Sequence, residues 1–262
     1  MSYINTVTIM SNVTTTYIND GNASAVYQAI HNKIASVTGW TKNDVSTQLY
    51  VGTGSKQLRI SISYLAGSAK FCYYVYSQND NGNVNITGKF LDSKVDTTNK
   101  TLYLHYCKSK SGKTIGIGIS TSTTHNIDFI IAEDTNGDFS AIGLNADDAM
   151  GSNYVSAQMV WNGYTCKLSN TKHGTYSSNI GALQPVISAG LCTSVCKLPN
   201  FLANCMFNDV YRILSLPIKE SQLNAVVLEI EGKKYQGCYS YDTSPNAISS
   251  TEYYNSLVIL AE

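Results

Sequence analysis

FIIAEDTNGDFSAIGL, residues 129–144, sets two apolar runs on either side of a knot of acids around a glycine. Asp134-Thr135-Asn136-Gly137-Asp138 is either a metal or catalytic loop or the reversal between two strands. An EF-hand loop beginning at Asp134 needs glycine at its sixth position and a bidentate glutamate at its twelfth. Those positions hold Phe139 and Asn145. Asn-Gly, by contrast, is the preferred pair of a two-residue hairpin turn, in which both central residues take positive φ. The related stretch Asn79-Asp80-Asn81-Gly82-Asn83 sits between two other period-two runs with almost no carboxylate. A strand reversal is therefore expected at 134–138. A looser calcium site on Asp134, Asn136 and Asp138 is the alternative, and no catalytic, metal or cofactor-binding residue is assigned.

Upstream of residues 129–144 stand further period-two runs, LRISISYL (58–65), KFCYYVYSQ (70–78), VNITGKFL (84–91), TLYLHYCKS (101–109) and TIGIGIST (114–121), with turn residues between neighbours. Such runs predict a sheet built by sequential antiparallel hairpins. An amphipathic helix precedes them, with Val26, Ile30, Ile34 and Val37 three or four residues apart and Gly39 ending the run. The fold class expected is α+β and β-dominated: one helix packed on a hairpin-built sheet over residues 1–150, then a smaller β-rich domain over 158–262. In the second part Phe201, Cys205, Asn208, Val210 and Ile213 have helical spacing. NAVVLEIEGKKYQGCYSY reads as a hairpin turning near Glu231-Gly232-Lys233, and NSLVILAE as a closing buried strand.

Charged residues make up only 14% of the 262, and 18 basic balance 18 acidic side chains, so no net field draws in nucleic acid or an anionic membrane. Ser, Thr, Asn and Gly take the places that Lys and Glu usually hold. Tyr outnumbers Phe by 19 to 6, which suits half-buried contact surfaces where the ring packs and the hydroxyl stays wet. MSYINTVTIMSNVTTTY has neither a basic nor an apolar leader segment, and no run is long enough to span a bilayer; a soluble cytosolic product is expected. Seven cysteines at irregular spacing, with no CxxC, predict free buried thiols.

Other sites of chemistry are sparse. Ser111-Gly112-Lys113-Thr114 ends like a phosphate-binding loop, but Cys107 stands where the first glycine belongs, so a hairpin turn is expected. The histidines His31, His105, His125 and His173 lie far apart in unlike settings. Cys192, Cys196 and Cys205 supply three zinc ligands at most, and the first two share a helix face only if the residues between them are helical. Trp40 and Trp161, with Tyr73, Tyr74, Tyr76, Tyr103 and Tyr106, could form a sugar-stacking platform, though half of the aromatics on alternating strands should face a core.

VVLEIEGKKYQGCYSYDTSPNAISSTEYYNSLVILAE (226–262), with its glycine-turn hairpin, Ser/Thr/Asn loop and short terminal strand, together with the 129–144 hairpin, resembles bacteriophage virion proteins. The likeness is to tail, baseplate and connector-associated proteins of phages and phage-tail-like particles. It implies a non-enzymatic structural subunit, assembled in the host bacterial cytoplasm, whose partners are other virion subunits including copies of itself. Two further classes are carried beside it: a glycan-binding host-recognition module, and a glycan or peptidoglycan hydrolase, which needs two carboxylates about 5–10 Å apart. Nothing in the sequence singles out such a pair.

Overall fold

The period-two runs form strands, as their β-branched and aromatic residues favour. The computed structural model describes residues 3–13, 23–43, 48–52, 58–65, 70–77, 86–89, 100–121, 123, 127–147, 155–161, 164–170, 194–200, 203–214, 227–238 and 256–261. Strand β1 (Asn5–Val13) precedes helix α1 (Ala23–Thr38), followed by β2 (Thr41–Asn43), β3 (Gln48–Val51), β4 (Leu58–Leu65), β5 (Lys70–Ser77) and β6 (Ile86–Lys89). Next come β7 (Lys100–Lys108), β8 (Thr114–Ser120), β9 (Phe129–Glu133), β10 (Phe139–Asp147), β11 (Val155–Trp161) and β12 (Tyr164–Asn170). The last group is β13 (Ser194–Asn200), β14 (Cys205–Leu214), β15 (Val227–Ile230), β16 (Lys233–Cys238) and β17 (Ser256–Leu260).

Among the described residues, twelve strands make one antiparallel sheet in the order β1-β7-β8-β9-β10-β6-β5-β4-β3-β2, with β11 and β12 branching from β10. The hairpin rule holds from β2 to β6 and from β7 to β10 but breaks between β6 and β7. Instead β7 pairs with β1, and β6 meets β10 through Ala146 and Gly88. β10 is long enough to leave β9 at Gly143 and continue to Ala146 beside β6, which joins the two meanders. The pairing of β5 with β6 is as expected; the tip at Asn81-Gly82 falls outside the described residues. β11 and β12, which straddle the boundary expected at residue 158, extend this sheet. A five-stranded sheet follows the order β13-β14-β17-β16-β15.

Helical spacing over 201–213 proves misleading, because Cys205–Leu214 is a strand. Ladder bonds to β13 on one side and β17 on the other, in a segment rich in Phe, Val, Tyr and Ile, outweigh an i, i+3, i+4 pattern that a short run can show by chance. Val195 and Cys196 are likewise in strand β13, so the helix face needed to align Cys192 with Cys196 does not form there.

Around β7, β8 and β9 the larger sheet buries both faces, and β9 divides its side chains between them. Phe129 and Ile131 join Leu102, Leu104, Ile115, Ile117 and Ile119 under α1, whose Val26, Ile30 and Ile34 are fully buried. Gly39 stops α1, its N–H donating to the Ala35 carbonyl at 2.8 Å. Ile130 and Ala132 face the other way, into a cluster with Ile4, Cys107, Ile127, Ile142, Leu198, Phe207, Val210, Cys238 and Ile259. That second cluster mixes residues of both sheets. It requires the bare backbone of Gly116 in TIGIGIS: a Cβ there would lie 2.9 Å from Ile127 Cγ2 and 3.0 Å from Ile259 Cδ1. Alternation of isoleucine and glycine thus gives β8 one face for the helix and one for the five-stranded sheet.

Candidate functional site

The acidic loop is a hairpin tip organised around one carboxylate. Asp134 is fully buried. Its Oδ1 accepts the N–H groups of Asn136 at 2.8 Å and Asp138 at 3.0 Å, and its Oδ2 accepts the Asn200 side-chain amide at 3.0 Å. Gly137 N–H donates to the Asp134 carbonyl at 3.0 Å, and Asp134 N–H to the Asp138 carbonyl at 2.9 Å. Gly137 has φ 79°, whereas Asn136 keeps a negative φ, so this is not the two-residue turn that Asn-Gly suggests. The hydrogen bonds follow a type I turn closed by a left-handed glycine. The physical reason is the Asp134 carboxylate, which pulls in the Asn136 N–H and holds the preceding residues right-handed. Three N–H groups donate to this carboxylate, the reverse of the oxygen-acceptor cage that calcium requires.

The tip also fastens the two sheets. Asp134 forms an antiparallel bridge to Phe207 in β14, Thr135 N–H donates to the Met206 carbonyl at 2.8 Å, and the Asn208 side-chain amide donates to the Asp134 carbonyl at 2.9 Å. Asn200 Nδ2 reaches Ser140 Oγ at 3.0 Å as well. Beside it, the β7–β8 hairpin carries Ser111-Gly112-Lys113-Thr114 as a turn, with Gly112 N–H donating to the Ser109 carbonyl at 2.9 Å. Ser111 Oγ donates to the buried Asp209 carboxylate of β14. Lys113 pairs with Glu133 at 2.6 Å across the hairpins, and this contact raises the lysine's pKa. Half exposed, the ion pair contributes little to stability. Asn200, Asn208, Ser140 and Asp209 are the members that sequence reading missed; no local signal marks them, because each partner lies 60 or more residues away.

The two histidines among the described residues, His31 and His105, sit in different elements with separate partners. His105 is buried in β7, with Nδ1 2.9 Å from Thr6 Oγ1 and Nε2 2.8 Å from Ser120 Oγ. These spacings imitate a nucleophile, base and orienting group, but a hydroxyl stands where a carboxylate would stabilise the imidazolium. Both ring nitrogens are engaged in tying three adjacent strands together. His31 is buried in α1, its Nδ1 donating to the Tyr27 carbonyl at 2.7 Å, and burial lowers its pKa. His125 and His173 lie outside the described residues. Cys107, Cys205 and Cys238 are free thiols, and among the described residues no three His, Cys, Asp or Glu side chains are grouped to hold a metal.

Of the aromatic set, Trp40 and Tyr106 pack partly buried against the helix-side core, and Tyr103 is half-buried with its ring 6.5 Å from that of His105. The side chains of Tyr73, Tyr74, Tyr76 and Trp161 lie outside the described set. Candidate assembly surfaces are the sheet edges. Among the described residues β1, β2, β12, β13 and β15 each have one ladder partner. β1 carries two register shifts and Asn12 at φ 61°, β13 carries a shift beside Pro199, and β2 has three residues. Bulges, proline and short length all discourage indiscriminate strand addition. Met206, beside the hairpin tip, is the one large hydrophobic side chain exposed among the described residues, at 40%. No helix among them is long and apolar enough to cross a membrane. Compared with protein-family models, curated proteins and solved structures, the chain matches none.

Proposed function

We propose that this chain is a non-enzymatic structural subunit of a phage or phage-tail-like virion, acting in the tail, baseplate or connector region by binding neighbouring subunits. The observation that carries the reading is the combination of edge strands in two antiparallel sheets with a weakly charged, Tyr-rich composition. Interfaces favour Tyr and disfavour Lys, Glu and Asp, and a chain of zero net charge does little to repel its own copies. Because the edges are bulged, short or proline-bearing, contact runs through side chains at defined places and not through open-ended strand addition.

In this reading the two sheets form a β-sandwich, and the smaller β-rich unit, from about residue 158, supplies much of the contact with neighbours. Partners are other virion subunits and further copies of this chain, within particles built in the host cytoplasm. Purification of native particles, followed by mass spectrometry and imaging, tests the proposal. The chain should be found in the particle, burying more than about 1,000 Å² against its neighbours. A chain that is absent from particles, stays monomeric at high concentration and binds or cleaves a glycan would replace this reading with one of the two others.

A further inference from the structure

Cys107 in β7 and Cys238 in β16 belong to different sheets, yet both are fully buried in the same cluster. The Cys238 thiol donates to the Gln236 carbonyl at 3.9 Å, and Cys107 is near enough to help raise its pKa. An independent contact shows how closely the sheets approach here. Gly116 is the register partner of Cys107 on β8, and a Cβ at Gly116 would lie 3.0 Å from Cδ1 of Ile259, on the strand that pairs with β16. On the other side of β7, Tyr3 N–H just ahead of β1 donates to Gln236 Oε1 of β16 at 2.8 Å. Contacts on both flanks therefore hold β16 over β7.

We propose that Cys107 and Cys238 are an oxidative modification site, closing to a disulfide that bolts the five-stranded sheet to the twelve-stranded one. The oxidant is a peroxide, small enough to enter a buried seam. One sulfur attacks a peroxide oxygen, the O–O bond breaks, and one water leaves with that thiol's proton, giving a sulfenic acid. The second sulfur attacks the first, the S–O bond breaks, and a second water leaves with the remaining thiol proton. Two thiols are oxidised by two electrons while hydrogen peroxide is reduced to two waters. Burial and the neighbouring Cys107 hold the Cys238 thiol protonated well above the usual range, so closure is slow near neutrality and faster in alkali. The inference does not rest on the assembly reading. On that reading, closure would follow release from the reducing cytosol.

The purified, fully reduced chain is treated with hydrogen peroxide, its remaining thiols are blocked after unfolding, and its peptides are mapped without reductant. A peptide linking Cys107 to Cys238 is expected, together with a rise in thermal midpoint of about 10 °C that dithiothreitol reverses. Cys107→Ala and Cys238→Ala should each abolish both. The wild-type map decides the question even if a variant fails to fold. Both thiols recovered in reduced form, converted separately to sulfinic acid, or linked to other cysteines would overturn the proposal.

Discussion

Asp134 shows what one side chain does when its carboxylate is enclosed by donors. Replacing it with alanine removes the carboxylate acceptor of the Asn136 and Asp138 N–H groups and one of the two acceptors of the Asn200 amide, and should cost about 3 kcal/mol in urea denaturation, since hydrogen bonds to a charged group are worth more than neutral ones. Millimolar calcium should leave the wild-type midpoint unchanged; a calcium-dependent rise would restore the metal reading. His31 gives the chain an acid sensitivity. Desolvated by burial and repelled by Lys42, it resists protonation when folded despite its hydrogen bond to the Tyr27 carbonyl, while the unfolded chain takes the proton near pH 6.5. Protons thus favour the unfolded state: stability is complete above pH 6.5 and declines as pH falls toward the lowered folded value. His31→Leu should flatten that part of the pH profile, and an unchanged slope would show that other groups are responsible.

At the scale of elements, β8 and β14 bear the packing. Gly116→Val should destabilise by about 2 kcal/mol or more, because Ile127 and Ile259 must move away, and chemical denaturation would register the loss. Phe207→Ala should cost about 4 kcal/mol by leaving a cavity between the sheets. The Glu231-Gly232 turn has positive φ at both positions, 52° and 73°, the geometry that Asn-Gly suits best. Glu231→Asn should therefore stabilise the β15–β16 hairpin by about 0.5–1 kcal/mol, measured as a shift in midpoint. These elements were legible to different degrees. Helix α1 and the hairpins at 129–144 and 227–238 follow from local periodicity and turn residues. β14 does not, because its strand state depends on partners in β13 and β17 that no local window contains.

For the whole molecule, Ile130, Ala132 and Ile142 on the larger sheet share a buried cluster with Phe207, Val210 and Ile259 of the smaller one. A fragment of residues 1–150 should accordingly bind a hydrophobic dye and melt below the full-length chain, having lost the side chains that cover that face. If the fragment instead unfolds cooperatively at the full-length midpoint, the first 150 residues are thermodynamically independent of the rest.

The β-dominated class, the antiparallel hairpins and the packed helix are legible in short windows of sequence, because period, propensity and turn chemistry act over a few residues. Long-range packing sets the rest: that β7 leaves β6 for β1, that β14 is a strand, that Gly116 faces the smaller sheet, and that Asn200 and Asn208 complete the Asp134 hairpin. Each of these depends on burial and on hydrogen-bond partners brought together across long chain separations. A buried polar group must find partners wherever the fold supplies them. That requirement leaves no periodic trace in the sequence.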